Sequence, residues 1–422
     1  MKQRDILRAW TPLELAWLLM AVEGPFIAAV IARLTAPTLN LAAFGVAFPF
    51  ALLFESPIIL IMSASTALVA DRDSYRKLRR FTWVLNGLIT LAMLVFVMPP
   101  VFRWVSQGLM GLPDSVAQLA HGACILFLPW PAAIGFRRFY QGLLIRKGLT
   151  RRITYATTVR LGCMGGTALL LGIFSRLPGV WIGAAAMSAG VVLEAVASRL
   201  WSRDCVREIE GTPTEGRPLS YRAIRVFYLP LALTAMLNLG TQPLVSFFLG
   251  HSLMGVESLA VFPVVNFFIF IFSTAGFTLQ EVAIPFLAQD AEARPALRRF
   301  TTTTAAAVTA LLLLMALTPL GGLWLRHAAG LTPHLAGFAA LPVAILAILP
   351  ALTLVEGYQR ACLLARHTTR PITWATGLEV AILAVVLLLL TRGAGWVGAT
   401  AAACAMVTGR LGACFLLKRA TA

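Results

Sequence analysis

The chain has 422 residues, of which 59% are hydrophobic and 13% charged, and its mean hydropathy is +0.82. A soluble protein cannot bury so large an apolar fraction, so this composition excludes a soluble globular enzyme and predicts a protein that crosses the membrane many times. The formal net charge of +17 would suggest a nucleic-acid partner for a soluble chain. Here we attribute it to basic loops on one side of a lipid bilayer, and expect no nucleic-acid partner.

Twelve segments are long enough to cross the bilayer, because a spanning helix needs about 20 apolar residues. They predict an all-α polytopic membrane protein of about twelve transmembrane helices. The segments are residues 11–34, 40–70, 81–102, 115–145, 154–174, 180–201, 223–250, 256–289, 300–325, 332–364, 372–391 and 395–417. Spans two, four, eight and ten exceed the required length and contain prolines, so we expect them to be tilted, kinked or extended beyond the bilayer.

The second half of the chain repeats the first. Tyr140-Gln141 recurs as Tyr358-Gln359, a shift of 218, and Leu78-Arg79-Arg80-Phe81 recurs as Leu297-Arg298-Arg299-Phe300, a shift of 219. A nearly constant shift indicates a duplicated unit. It predicts an N-terminal six-helix lobe at 1–202, a polar cytoplasmic linker at 203–222 and a C-terminal six-helix lobe at 223–422. Each half has an even number of spans, so the pseudo-symmetric lobes would share one orientation.

Basic residues are distributed unevenly between the two sets of loops. Most lie in alternate segments that begin with the N-terminus, while the opposite segments carry only Arg33, Arg103, Arg176, Arg326 and Arg392. Loops rich in arginine and lysine stay in the cytoplasm. The pattern therefore predicts that both termini are cytoplasmic.

Sequence motifs for catalysis or nucleotide binding are absent. We find no phosphate-cradling glycine loop, no hydrolase elbow and no zinc-protease motif, and the six cysteines contain no C-x-x-C pair. We therefore expect no enzymatic activity, metal or bound cofactor, although coupling to H⁺ or Na⁺ stays open. One packing motif, Gly162-x-x-x-Gly166, predicts a close approach between span five and a neighbouring helix.

Ionisable and amide side chains within the spans are the candidates for a substrate or ion site, because each is costly in contact with lipid. Glu23 precedes Gly24-Pro25 in span one, and Gln242 precedes Pro243 at the matched place in span seven. We predict that Glu23 and Gln242 line a central cavity; a carboxyl satisfied by a neighbouring helix is the alternative for Glu23. Further candidates are Glu55, Asn238 and Asn266. Glu14 lies nine residues before Glu23, on the opposite face of a continuous helix, so we do not expect one site to contain both.

Charged residues in spans four and ten form a second group. By the repeat shift Arg138 corresponds to Glu356, which predicts either an ion pair between the lobes or an anion-binding arginine. Glu356 and Arg360 are also spaced for a local i, i+4 pair. We predict a gating or structural role for Arg138, Glu356 and Arg360. Arg160, Glu194, Glu379 and Arg410 are expected to be partnered charges within the helix packing.

Several of these motifs resemble the MATE transporters of the wider multidrug/oligosaccharidyl-lipid/polysaccharide (MOP) exporter superfamily. Phe139-Tyr140-Gln141-Gly142 and Gly148-Leu149-Thr150-Arg151 are similar to that family's turn from span four into span five, and Leu41-Ala42-Ala43-Phe44-Gly45 is similar to its start of span two. Leu229-Pro230-Leu231-Ala232-Leu233 and Gly395-Trp396-Val397-Gly398-Ala399-Thr400 look most like the progressive-ankylosis (ANK) branch.

The resemblance implies two six-helix lobes, alternating access and efflux from the cytoplasm. MATE members move cations in antiport with H⁺ or Na⁺ and use an aspartate in span one, where this chain has only glutamates; ANK relatives are associated with small anions. We therefore predict a secondary active transporter of a small organic solute, monomeric and embedded in a bacterial inner membrane. A flippase for a lipid-linked saccharide or polyprenyl phosphate is the alternative, and a scaffold without transport is a third class.

Overall fold

The computed structural model describes residues 3–213, 219–289, 293–366 and 368–421, and regular structure within these ranges is helical. Twelve helices or helix pairs among them are long and apolar enough to cross a membrane. This confirms the predicted all-α architecture of an integral membrane protein. Residues 214–218 of the predicted linker and His367 lie outside the described residues.

The first half of the chain forms spans one to six and a short terminal helix. Its helices are α1 (Gln3–Ala21), α2 (Glu23–Ala32), α3 (Pro37–Glu55), α4 (Ile61–Leu68), α5 (Arg72–Phe96), α6 (Pro99–Arg103), α7 (Asp114–Leu126), α8 (Pro129–Arg146), α9 (Thr150–Phe174), α10 (Gly179–Trp201) and α11 (Arg203–Gly211), with a π-helical segment at Trp104–Leu109.

The second half forms spans seven to twelve. Its helices are α12 (Tyr221–Gly250), α13 (Gly255–Gln289), α14 (Ala293–Leu317), α15 (Pro319–Leu323), α16 (Pro333–Leu346), α17 (Leu349–Ala365), α18 (Arg370–Leu388) and α19 (Gly398–Thr421), with π-helical segments at Trp324–Ala328 and Leu389–Gly393.

Four spans are interrupted near prolines. Span one breaks at Val22, three residues before Pro25; span two breaks around Pro57; and spans four and ten restart at Pro129 and beside Pro350. Proline lacks the N–H that an uninterrupted helix needs and its ring crowds the preceding turn. Spans seven and eight contain prolines and nevertheless run as the continuous helices α12 and α13. The prediction of kinks thus identifies spans two, four and ten correctly, whereas span eight is not interrupted.

The described residues form two compact units. The C unit comprises Met1–Gly45 and Leu244–Ala422, and the N unit comprises Val46–Pro243. The boundaries of these units, at Gly45/Val46 and Pro243/Leu244, lie within α3 and α12. The six-helix lobes at 1–202 and 223–422, with a linker at 203–222, stay a prediction from the sequence repeat.

The core of the C unit is centred on α13. Span one packs on it through Trp10, whose Nε1 donates to Ala275 O at 3.3 Å and whose ring meets Phe300 at 5.8 Å between centroids. On the opposite side Gly276 faces α17, where an added Cβ would lie 2.6 Å from the carbonyl carbon of Thr353. Glycine therefore permits the close contact of α13 with α17, which positions the polar residues of both helices.

The N unit is held together in a similar way by α8. Ser65 of α4 donates its hydroxyl to Phe139 O at 2.8 Å, and Gly142 leaves room for this approach, since a Cβ there would lie 2.6 Å from Ser65 Cβ. Tyr228 of α12 donates to Pro57 O at 2.7 Å. The last contact explains why span seven belongs to this unit.

Part of the predicted linker is a helix that packs on the N unit. Helix α11 buries an apolar face formed by Cys205, Val206 and Ile209. Its polar face forms three ion pairs with the spans. The pairs are Lys147–Glu208 at 2.5 Å, Arg152–Asp204 at 3.5 Å and Arg79–Glu210 at 3.9 Å. Exposed pairs of this kind contribute little individually, but together they fix α11 across the basic ends of three spans.

Candidate functional site

The buried carboxylate of α1 is bound by two threonine hydroxyls of α13. Glu14 is 6% exposed; its two oxygens accept hydrogen bonds from Thr274 Oγ1 at 2.7 Å and Thr278 Oγ1 at 2.6 Å. The threonines are four residues apart, so their hydroxyls lie on one face of α13. No basic side chain forms an ion pair with Glu14 within the described ranges. Glu14 is therefore a transmembrane carboxyl bound only by neutral hydrogen-bonding groups.

The two hydroxyls can serve this carboxyl in either protonation state. Thr274 Oγ1 also lies 2.7 Å from Ile271 O, and Thr278 Oγ1 lies 3.1 Å from Thr274 O. A hydroxyl has one proton to donate and can also accept a hydrogen bond. When Glu14 is ionised, both hydroxyls donate to it. When Glu14 is protonated, it donates to one hydroxyl, which turns its own proton to the backbone carbonyl. Both hydrogen-bonding arrangements use the same heavy-atom positions.

Glu23 begins the second helix of span one. It is 7% exposed, and the adjoining Gly24 packs against Phe267, where an added Cβ would lie 2.5 Å from Cδ1. Val22, between the two helices of span one, keeps helical φ and ψ of −71° and −20°. Its N–H donates to Leu18 O at 3.2 Å and its carbonyl accepts from Phe26 N at 3.0 Å, so the expectation that Glu14 and Glu23 lie on opposite helix faces stays a prediction. Asn266, on α13 of the same unit, is half-buried.

The other residues predicted for the substrate site belong to the N unit. On α12, Gln242 is half-buried and Asn238 is exposed. Glu55 ends α3, is 5% exposed and accepts a hydrogen bond from Trp130 Nε1 at 2.6 Å. The substrate role of these residues, and the pairing of Glu23 with Gln242, stay predictions.

Spans four, five and six share a buried charge cluster in the N unit. Glu194 of α10 is completely buried and pairs with Arg137 of α8 and, at 3.3 Å, with Arg160 of α9. Gln141 Nε2 donates to the same carboxylate at 3.1 Å, and Thr157 Oγ1 at 3.3 Å. The expectation that Arg160 and Glu194 are partnered is confirmed, and the pairs join three different helices.

Spans ten, eleven and twelve share a second cluster in the C unit. Glu356 of α17 pairs with Arg360 at 2.5 Å and with Arg410 of α19 at 2.6 Å. Arg410 also pairs with Glu379 of α18 at 2.8 Å. Each arginine also donates a hydrogen bond to one threonine hydroxyl. Arg410 donates to Thr353 Oγ1 at 3.2 Å. The predicted local pair of Glu356 with Arg360 is confirmed, whereas its role in gating stays a prediction.

One matched position carries opposite charges in the two clusters. A shift of 219 places Arg160 of span five at Glu379 of span eleven. Two glycines support this match, because a Cβ at Gly190 would lie 3.0 Å from Arg160 O and one at Gly409 would lie 2.9 Å from Glu379 O. The span-six member of the first cluster is a carboxylate, and the span-twelve member of the second is an arginine. Each half therefore has a buried ion-pair network among its last three spans, and the charge of the span-five member is reversed in span eleven.

Arg138 differs from the other arginines of these clusters. Its Nη1 lies 3.6 Å from the sulfur of Met62, and no carboxylate of the described residues is within 4.0 Å of it. The Nε atom is buried and has no hydrogen-bond partner. At the repeat-related position Glu356 has two arginine partners. The side chain of Arg138 is half-buried.

Reasoning from the sequence missed the partners of two acidic residues. The threonines that bind Glu14 were detectable as Thr274-x-x-x-Thr278, a spacing that places two hydroxyls on one helix face. No sequence pattern identified Trp130 as the partner of Glu55, because a tryptophan in an apolar span usually only packs against neighbouring side chains.

Solved transporter structures share this fold. The chain resembles an inward-facing multidrug-resistance MATE transporter of the MOP superfamily, with a TM-score of 0.74 at 15% identity over 97% of this chain and 99% of that chain. It resembles the lipid II flippase MurJ in an inward closed conformation, with a TM-score of 0.71 at 12% identity over 97% and 87% of the two chains. It also resembles an outward-facing MATE transporter of the MOP superfamily, with a TM-score of 0.65 at 14% identity over 99% of this chain and 94% of that chain.

Similarity at the level of sequence is too low to carry a closer assignment. No family model matches the chain, and no curated protein matches it in sequence. Identities of 12–15% over nearly the whole length of both chains indicate a common fold. The chain therefore has the fold of the MATE transporters and the lipid II flippase of the MOP superfamily.

Proposed function

We propose that the protein is a secondary active transporter that exports a small organic solute by alternating access and couples export to proton uptake at Glu14. The fold supports this function, because similar structures are described as inward-facing and outward-facing transporters. The observation that carries the proposal is the buried Glu14 with its two threonine hydroxyls. A transmembrane carboxyl is costly, and a site that accepts either protonation state suits proton exchange.

We further propose a bacterial inner membrane with both termini in the cytoplasm. The basic ends of the spans, including the residues that pair with α11, would then face the cytoplasm. In that orientation α11 lies on the cytoplasmic face of the N unit.

The test is proton flux in proteoliposomes. Purified protein is reconstituted with a pH-sensitive dye inside the vesicles, a pH gradient is imposed, and solutes from a cation panel and an anion panel are added. A solute of the transported class should dissipate the gradient in the wild type. Glu14→Gln should abolish that dissipation because the amide cannot exchange a proton, while protein yield stays normal.

Glu257→Gln is the matched control, since Glu257 lies in the first turn of the same α13 that carries the threonines. It should behave as wild type. Gradient dissipation at the wild-type rate in Glu14→Gln would refute the assignment of Glu14.

A second candidate function is the flipping of a lipid-linked substrate. The N unit has an open, mainly apolar groove of about 630 Å³ between spans three, four and six, lined among others by Trp83, Leu91, Phe136 and Val196. Trp83 and Leu91 are each more than half exposed on the apolar surface of the unit, so an acyl or polyprenyl chain fits this groove. Similarity of fold to MurJ is compatible with such a substrate.

A dithionite-quenching assay distinguishes the two functions. Vesicles containing a fluorescent polyprenyl phosphate would lose all fluorescence if the protein flips the lipid, and about half if it does not. If the wild type flips the lipid, Phe136→Glu should retain about half of the fluorescence. That result, together with unchanged solute-driven proton flux, would assign the groove to lipid flipping.

A further inference from the structure

The chain has the same local structure after span three and after span nine. Helices α6 and α15 begin at Pro99 and Pro319, a shift of 220, and each is followed directly by a π-helical segment. Two residues beyond each segment lies a glycine with positive φ, 63° at Gly111 and 76° at Gly330. Side chains of the N unit can therefore be matched with their counterparts in the C unit at this place.

In the N unit this region is filled by aromatic rings. Phe102 of α6 is 2% exposed. The centroid of its ring lies 5.5 Å from that of Phe96 in α5 and 4.8 Å from that of His121 in α7. Phe96 in turn contacts Phe50 of α3, with centroids 4.7 Å apart. Rings from four helices thus close the packing at this end of the unit.

The matched residues of the C unit leave a cavity. The repeat shift is 218 in span eight, 219 in spans nine and ten and 220 in α15. It places at the four ring positions Phe268, Met315, Gly322 and Ala340. All four line a cavity of about 150 Å³. Gly322 at the place of Phe102 accounts for much of this space, because a Cβ at Gly322 would meet nothing within 4 Å.

The cavity has the size and polarity for a hydrocarbon group. Trp324 forms one wall and packs on Phe268 with ring centroids 4.0 Å apart. Apart from Arg326, the lining consists of apolar side chains and glycines. An apolar cavity of about this volume stays free of water and takes up a benzene-sized group.

The rim of the cavity combines exposed leucines with a basic residue. Leu317, Leu320 and Leu341 each adjoin a lining residue in sequence and are 75%, 50% and 58% exposed. Exposed apolar side chains on a membrane span contact lipid acyl chains. Arg326 lines the cavity and is exposed, and no carboxylate of the described residues lies within 4.0 Å of it. A hydrocarbon chain that carries an anionic headgroup matches both features of the rim.

We propose that this cavity binds one anionic phospholipid, with a segment of an acyl chain against Trp324 and the phosphate on Arg326. A basic residue beside an apolar pocket between spans is the chemistry that selects anionic lipids. Arg326 lies beyond the end of span nine that is opposite to Arg298 and Arg299. In the orientation proposed above, the lipid therefore belongs to the leaflet away from the cytoplasm. The lining includes neither Glu14 nor the groove of the N unit, so the site is the same whether the transported substrate is a solute or a lipid.

The test uses Trp324 as a reporter, because bromine atoms on an acyl chain quench tryptophan fluorescence only at contact. The protein is placed in phosphatidylcholine nanodiscs that contain increasing fractions of phosphatidylglycerol brominated on its acyl chains. The signal of Trp324 is the difference between each protein and its Trp324→Phe variant. In the wild type the quenching of Trp324 should saturate at a low fraction of the brominated lipid. In Arg326→Gln half-quenching should need about fivefold more of it, the contribution of one basic side chain to binding of an anionic lipid.

Gly322→Phe fills the cavity with the ring that the N unit holds at Phe102. Saturable quenching should disappear and leave only a linear response to the surrounding lipid. The melting temperature of the delipidated protein in detergent should rise, because the cavity is filled. Gly393→Phe is the matched control, since Gly393 is also in a π-helical segment, is exposed and has open space for a Cβ. It should keep the saturable quenching of the wild type.

Four results would overturn the proposal. They are a linear response in the wild type, half-quenching at the same lipid fraction in wild type and Arg326→Gln, saturable quenching retained in Gly322→Phe, and loss of saturable quenching in Gly393→Phe. Brominated phosphatidylcholine that quenches Trp324 as effectively at the same low fraction would also overturn it, in favour of a site without headgroup selectivity. If Gly322→Phe does not fold, the comparison of the wild type with Arg326→Gln and with brominated phosphatidylcholine decides.

Discussion

Glu194→Gln tests whether the buried cluster of the N unit is an ion-pair network whose removal leaves uncompensated charge. The carboxylate is fully buried, and the side chain of its partner Arg137 is 5% exposed. Removing one partner of a buried pair costs about 3–5 kcal/mol, because the remaining charge stays desolvated. Glutamine keeps the size and a hydrogen-bonding oxygen, so we expect a loss near the lower end of that range.

The C unit provides an internal comparison. In Glu379→Gln the carboxylate is also lost, but Arg410 keeps Glu356 at 2.6 Å, and Glu379 has a side chain that is 17% exposed. The loss in unfolding free energy should be about 1 kcal/mol, the net contribution of one hydrogen bond, because Arg410 keeps a carboxylate partner. The expected order of stability is therefore wild type, then Glu379→Gln, then Glu194→Gln.

Denaturant unfolding in detergent, followed by tryptophan fluorescence, measures both differences. The double variant Arg137→Gln/Glu194→Gln is the control, and it should recover part of the loss because one of the two arginines left without Glu194 is removed. Glu379→Gln as destabilising as Glu194→Gln, or a double variant no more stable than Glu194→Gln, would refute the reasoning.

Three further predictions concern packing, the linker helix and the break in span two. Gly135→Ala should cost about 1–3 kcal/mol in unfolding free energy, because its Cβ would lie 2.5 Å from Ile58 Cγ1; Gly162→Ala, with open space around it, should gain up to about 1 kcal/mol. In a variant with Cys205 as the only cysteine, maleimide should label the thiol slowly. The labelling rate should still increase at pH values where an exposed thiol is already fully ionised, because burial raises the pKa of Cys205. Neutralising the three acidic residues of α11 should release the helix and speed this labelling at least tenfold; an unchanged rate would show that the apolar face alone holds it. Pro57→Ala should fold normally and raise the helical ellipticity as α4 joins α3, because the N–H that proline lacks is restored; an unchanged ellipticity would show that packing alone keeps the two helices separate.

The fold was predictable because membrane spans are long and strongly patterned. Twelve apolar segments, the repeat and the turn near Tyr140 indicate the architecture that the structure shows. Helix breaks were less predictable, because the same residue type interrupts span two and not span eight. Proline removes one hydrogen bond in either place, and tertiary packing decides whether the helix continues.

The candidate site was only partly predictable, because partners come from distant parts of the chain. The sequence analysis separated Glu14 from Glu23 by a helical-wheel argument, and it could not show that the hydroxyl of Thr274, 260 residues away, binds Glu14. Span five does approach a neighbouring helix closely, but through Gly190 of span six; a Cβ at Gly162 or Gly166 meets nothing within 4 Å. Spacing within a helix shows which side chains share a face, but it does not show which helix faces them. The likeness to the ANK branch stays a prediction.

The two buried charge clusters also constrain how the sequence can diverge. A reversal of charge at Arg160 or Glu379 alone would place two like charges in a buried site, which is strongly destabilising. We therefore expect the charged residues of spans four to six, and those of spans ten to twelve, to change together in relatives. A hybrid gene that joined span five of one half to spans four and six of the other would encode such a mismatch. Exchange of span five with span eleven alone would therefore bury an unbalanced charge in both halves.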